Sequence, residues 1–159
     1  MQNSIEQRLG VLEDIEAIRK LKARYCAACD DNHNAETLGT LFAEDASWEA
    51  TNMGRADGRA AIQEMLGAVG RSGRIRGSAH HAINPIIDVS GDRATGHWRL
   101  IMLYTANQPD GSLQYLRIIG WYRERYVRVR GEWLFQSLDC HVEEHAPYVL
   151  EPQQNRIGG

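Results

Sequence analysis

The apolar residues of this chain change their spacing near Gly77. Upstream they recur at every third or fourth position, the period of a helix that buries one stripe; downstream they alternate, the period of a strand that buries one face. One segment cannot satisfy both periods, so the chain must lay down helices first and long strands afterwards, which is the α+β pattern. The late half divides into four strands, Ser78–Val89, Ala94–Thr105, Leu113–Val129 and Trp133–Glu143. The turn residues Ser90-Gly91-Asp92, Asn107–Gly111 and Arg130-Gly131 separate them. Links this short join antiparallel neighbours.

In the early half, Ser4 and Gln7 have the spacing of a capping box. Leu9, Leu12, Ile15, Ile18, Leu21, Tyr25 and Cys29 then predict one long amphipathic helix. The cluster Asp30-Asp31-Asn32-His33-Asn34 ends it, because Asp and Asn compete for backbone hydrogen bonds. Asn34 can cap a short second helix with Leu38, Leu41 and Phe42 on its apolar side. Ala46–Ala50 reads as a short strand, Asn52–Gly58 as a loop and Arg59–Val69 as a third helix. Gly70–Gly77 reads as a polar, mobile connector. One domain over 1–150 and a loose polar tail, Glu151–Gly159, are expected.

The chain has 159 residues, 43% of them apolar, enough for one domain with a substantial core. A net charge of -3 lacks the basic footprint of a nucleic-acid binder. No run approaches the roughly 18 apolar residues of a membrane span, and MQNSIEQRLG is not a secretory signal. Three cysteines, an odd number, suit reduced thiols. The expectation is a cytoplasmic protein with no nucleic-acid or membrane partner.

The chemistry centres on the pair His80-His81, which a strand must show to opposite faces. His80 shares its face with Ala82 and Asn84; His81 goes with Ile83, Pro85 and Ile87. A neutral imidazole among small and polar neighbours suits removal of a carbon-bound proton near neutral pH. Two other patterns are weaker. Cys26-Ala-Ala-Cys29 lies near a helix C-terminus, whereas redox pairs occupy the N-terminus that lowers a thiol pKa, so core packing is expected. His141-Val-Glu-Glu-His145 has the spacing of an inverted zinc motif but falls on a strand, so no metal or other cofactor is expected. Trp48, Trp98, Trp121 and Trp133 read as core or interface residues.

The strings AIRKLKARYCAACDD, LFAEDASWEA, GRAAIQEML, HHAIN with VSGDRATGHW, and GWYRERYVRVRGEWLFQ together resemble the SnoaL-like branch of the NTF2-like superfamily, over about Leu12–Tyr148. The resemblance implies a cone: three N-terminal helices on a strongly curved, mostly antiparallel mixed sheet that encloses a pocket. It implies a dimer or trimer. The members most alike in look are scytalone dehydratase, bile-acid 7α-dehydratase and hexachlorocyclohexane dehydrochlorinase, in which a strand histidine is the base and an aspartate ending the first helix orients it. Carried over, the base falls on His80. Counting forward along the ungapped helix puts the aspartate at Asp30, counting back from Phe42 puts it at Asp31, and a length change belongs in the loop rather than the helix, which favours Asp30. Tyr25 matches a helix tyrosine near the reacting group. The last-strand arginine of the bile-acid enzyme and the dehydrochlorinase is replaced near Leu138-Asp139-Cys140-His141, where His141 or Asp139 can substitute, and the first-strand tyrosine of the dehydratases falls near Ala50.

These readings converge on a cofactor-independent lyase or isomerase acting on a small, partly apolar cyclic substrate. His80, Asp30 and Tyr25 are the catalytic set, with Asn84, Trp48, Tyr122, His141 and Asp31 as substrate contacts. The alternatives are a non-catalytic binding or assembly module on the same cone, or the small structural subunit of a ring-hydroxylating dioxygenase.

Overall fold

A computed structural model describes residues 4–148. Its elements run α1 (Ile5–Asp30), α2 (Ala35–Thr40), β1 (Phe42–Ala50), β2 (Gly54–Asp57), α3 (Arg59–Arg71), β3 (Ile75–Ser90), β4 (Arg93–Asn107), β5 (Leu113–Val129) and β6 (Glu132–Pro147). The six strands form one sheet in the order β2-β1-β6-β5-β4-β3. β1 runs parallel to β6, and every other pair is antiparallel. Three helices on a mixed sheet make this the α+β cone expected.

Local chemistry explains most boundaries. Ser4 and Gln7 form the reciprocal capping box that starts α1, and the helix stops at Asp30 with Asp31 as its C-cap. The Asn34 side chain accepts from the Thr37 N–H at 3.1 Å and caps α2. Ile18, Leu21, Leu38, Leu41, Phe42, Ile62, Leu66, Phe135 and Leu138 are almost completely buried and form the centre of the core between helices and sheet.

Four expectations need correction. Phe42 begins β1 rather than closing α2, because its backbone joins the β1–β6 ladder opposite Phe135. The Asn52–Gly58 segment carries the edge strand β2, hairpin-paired to β1. Gly70–Gly77 is divided between the end of α3 and the start of β3, and the Asn107 N–H bonds to the Arg74 carbonyl. Ile5, Leu9 and Leu12 continue the apolar stripe of α1, yet they are exposed. The sheet meets this part of α1 at Asp14, whose carboxylate accepts from Arg128 and from the Trp133 indole. The tail Glu151–Gly159 and the last residues of the 1–150 domain lie outside the described residues.

Three irregularities control which side chains face inward. β3 shifts register between Ile83 and Ile86, with Asn84 at φ 50°, and the β5–β6 ladder shifts between Ile119 and Gly120 and again between Arg125 and Tyr126. A bulge adds one residue to one strand, bends the sheet and reverses the inward-outward phase beyond it. Gly120 is required at the second of these. A Cβ there would stand 2.1 Å from the His141 carbonyl oxygen.

Candidate active site

Between α1, α3 and the concave face of the sheet lies a cavity of about 300 Å³. Its depth is lined by Tyr25, Trp48, Leu100, Met102, Tyr122 and Cys140, and its opening by Thr51, Asn52, Ile75, Tyr104 and His145. His80 lines one wall. Because α1 ends at Asp30 beside β3, helix length places the carboxylate against this histidine. His80 Nδ1 lies 2.6 Å from Asp30 Oδ1, and the His80 N–H donates to Asp30 Oδ2 at 3.0 Å. The Ser78 hydroxyl donates to Asp30 Oδ1 at 2.8 Å.

Burial opposes charge on Asp30, but the bonds from the His80 side chain and backbone and from Ser78 outweigh it, so its carboxyl lies below the ordinary carboxylate range. An ionised acceptor at Nδ1 keeps the hydrogen there and leaves Nε2 as the basic nitrogen of the neutral ring. Asp30 stands behind the imidazole, in a groove between α1 and β3 lined also by Arg19, Lys22 and Ala82, while His80 borders both groove and cavity. The His80 side chain is 8% exposed.

Tyr25 is buried, and its oxygen accepts from the Trp48 indole N–H at 3.0 Å. Burial pushes its phenol well above the ordinary value, with the nearby Cys29 adding to the rise, so the hydroxyl keeps a hydrogen to donate. Tyr122 sets its ring edge-on to Tyr25, 6.4 Å between centroids. Beneath these rings is a buried ionic network. Lys22 Nζ lies 2.5 Å from Glu124 Oε1, and the two side chains are 1% and 0% exposed. The Tyr126 hydroxyl donates to the other Glu124 oxygen and accepts from Trp98 Nε1 at 3.0 Å. The ammonium also sits 3.2 Å from the Tyr122 ring centroid, a cation–π contact that fixes that ring.

The structure thus brings together His80, Asp30, Tyr25, Trp48 and Tyr122, and it does not bring three other sequence-predicted residues to the cavity. Asn84 sits on the β3 bulge and is exposed, because the extra residue turns Pro85 and Ile87 inward in its place. Asp31 is exposed and accepts from the Asn34 amide at 2.8 Å, so Asp30 is the histidine's partner. His141 lies on the convex face, stacked on Trp121 with ring centroids 4.7 Å apart. Its motif partner His145, past the bulge, faces the cavity, so the two imidazoles of the zinc-like spacing point to opposite sides of the sheet. Cys26 and Cys29 are buried free thiols whose pKa values burial raises.

Sequence reasoning missed His33, Tyr104 and His145. His33 occupies a left-handed position (φ 51°) beyond α1 and is buried with its ring 6.3 Å from that of His80. Burial, reinforced by His80, lowers its pKa to about 4. Its place in the chain reads as a helix-ending turn, and nothing in the local sequence points it inward. A strict two-residue alternation from Cys140 and Val142 selects Glu144 rather than His145, so only the bulge reveals the latter.

A carboxylate-backed histidine at the wall of a small apolar cavity within a helix-covered cone defines a class, and the chain belongs to the family of the SnoaL-like domain, whose model matches residues 10–139. Its fold is similar to that of a protein from Novosphingobium aromaticivorans DSM 12444 provisionally named a scytalone dehydratase: 26% identity, TM-score 0.76, with 88% of this chain and 91% of that one covered. It is also similar to a hexachlorocyclohexane dehydrochlorinase, LinA type 2, at 21% identity and TM-score 0.79, covering 92% of this chain and 99% of that one. A third similar structure is an NTF2-like protein with a cystatin-like fold, also from Novosphingobium aromaticivorans, at 25% identity and TM-score 0.70, with 91% of this chain and 93% of that one covered. No curated protein sequence matches.

Proposed function

We propose that this protein is a cofactor-independent lyase or isomerase that removes a carbon-bound proton from a small, partly apolar cyclic substrate. The observation that carries the reading is the 2.6 Å contact between His80 Nδ1 and Asp30 Oδ1, with the carboxylate behind the ring and the cavity in front of it. His80 Nε2 takes the proton, and Asp30 holds the tautomer and offsets the charge of the imidazolium that forms. The released electron pair becomes a carbon–carbon double bond as a hydroxide leaves, or an enolate that is reprotonated elsewhere. Tyr25 donates its hydroxyl hydrogen bond to the oxygen that gains charge. The apolar walls formed by Leu100, Met102 and Ile118 suit a ring system rather than a chain of charges. The similarity to a protein named as a scytalone dehydratase supports an elimination.

The test is proton exchange followed by NMR in D2O, on a panel of cyclic ketones and β-hydroxy ketones. Wild-type protein is expected to exchange or eliminate at the carbon next to the carbonyl. His80→Asn should slow this by about 10²- to 10⁴-fold, the range of a positioned general base. Exchange as fast in His80→Asn as in wild type, or binding of the panel with no exchange, would leave a ligand-binding role in place of the reaction.

A further inference from the structure

The cavity contains a second polar pair that the proton abstraction does not use. Tyr104 on β4 and His145 on β6 meet at its mouth, the hydroxyl 2.6 Å from His145 Nε2. Either arrangement of their hydrogens leaves a donor free. If the hydroxyl donates to Nε2, Nδ1 carries the other ring hydrogen; if Nε2–H donates to the phenol oxygen, the tyrosine hydrogen is available. Donors at a mouth call for an acceptor on the ligand.

The surroundings favour an anionic acceptor. Among the described residues lining the cavity there is no Asp or Glu, and the ionised Asp30 stands behind His80, across the cavity from His145. The two acids nearest in sequence to His145 are occupied elsewhere: Glu143 is paired with Arg99 at 2.7 Å and Glu144 with Arg117 at 2.7 Å. The Arg74 guanidinium adds positive potential at Tyr104, working against the rise that burial imposes on that phenol.

Register sets the ligand's length. His80, Met102, Ile118 and His145 are successive cross-strand partners on one row of the sheet. Three inter-strand steps of about 4.8 Å make about 14 Å along the sheet, shortened across the cavity by its curvature. Between the two ends the wall is apolar, formed by Met102 and Ile118. A two-ring body fits that span.

We infer that Tyr104 and His145 form a carboxylate-binding site, and that the substrate is a fused or linked two-ring carboxylic acid whose acid group sits at the mouth while a ring carbon faces His80. This deepens the reaction proposed above by naming its substrate class, and it depends on that reading only for what happens after binding.

The experiment is calorimetric titration with 2-naphthoate and with 2-naphthalenemethanol, the same ring system without the charge. Wild-type protein should bind the acid about tenfold or more tightly than the alcohol, as a hydrogen bond to a charged group implies. Tyr104→Phe and His145→Leu should each close most of that gap, lowering the affinity for the acid far more than that for the alcohol; neither side chain is fully buried, so both variants should fold. Equal affinities in wild type, no binding of either probe, or a preference that survives both substitutions would overturn the site. A preference for the acid without His80-dependent exchange on any acidic probe overturns the reaction and leaves the mouth site standing. Exchange on neutral ketones with no preference for naphthoate does the reverse.

Discussion

Replacing Lys22 with methionine should destabilise the fold more than any comparable change outside the cavity. The ammonium is 1% exposed and lies 2.5 Å from a Glu124 oxygen that is itself sealed from water. Lys22→Met keeps the hydrophobic stem and its packing but leaves the carboxylate with the Tyr126 hydroxyl as its remaining partner among the described residues. Removing one member of a buried ion pair costs about 3–5 kcal/mol, because the other charge stays desolvated and uncompensated. In urea, with a slope of about 2 kcal/mol/M, the unfolding midpoint should fall by about 2 M. Lys22→Met combined with Glu124→Gln removes both charges and keeps an oxygen for Tyr126, so most of the loss should be recovered. Unfolding followed by circular dichroism at constant slope measures all the variants. A single variant that costs less than about 1 kcal/mol, or a double variant no better than the single, would refute the view that the pair is held as a mutually dependent unit.

Three further outcomes follow from geometry. His33 has a folded pKa of about 4 against an ordinary 6.5, so the unfolded chain binds more protons between those values and stability should drop as pH falls from 6.5 to 4, by up to about 3 kcal/mol; His33→Gln should flatten that part of a melting-temperature profile. Asp30 is depressed below its ordinary 3.8, so its contribution is full above that value and is lost as pH falls through the folded value; Asp30→Asn should remove this acid-sensitive component from denaturation curves and lower His80-dependent exchange in the same protein. Gly120→Ala sets a methyl 2.1 Å from the His141 carbonyl, and since backbone cannot move aside cheaply, a loss of about 3 kcal/mol or more is expected in thermal unfolding.

How much of this was legible in the sequence depended on whether a residue's neighbours were set by period alone. Tyr25, Asp30 and His80 were placed by the resemblance, and the structure brings them together because Tyr25 and Asp30 lie on one continuous helix and His80 on a stretch of β3, Gly77–Ile83, without a register shift. Asn84 was assigned by alternation and His141 by the resemblance, and both fall outside the cavity: the bulge at Ile83–Ile86 alters the phase at Asn84, and the register shift at Arg125–Tyr126 turns Leu138 and Cys140 inward and His141 outward. His145 was lost to the shift at Ile119–Gly120, and His33 because a left-handed turn, not a periodic element, aims it. The Lys22–Glu124 pair was invisible in a different way: the partners are 102 residues apart, and each reads as an ordinary charged position until helix and sheet are stacked.

The position of Asp30 has a consequence for solubility. Among the described residues β3 is the last strand of the sheet on one side, and its outer backbone groups have no ladder partner there. An unprotected row of this kind invites a strand from another molecule. Asp30 accepts the outward N–H of His80 and the hydroxyl of Ser78 and brings the end of α1 against that edge. The same carboxylate therefore blocks a docking strip for other chains, and conditions that protonate it loosen the imidazole and uncover the strip together, coupling loss of the site to self-association.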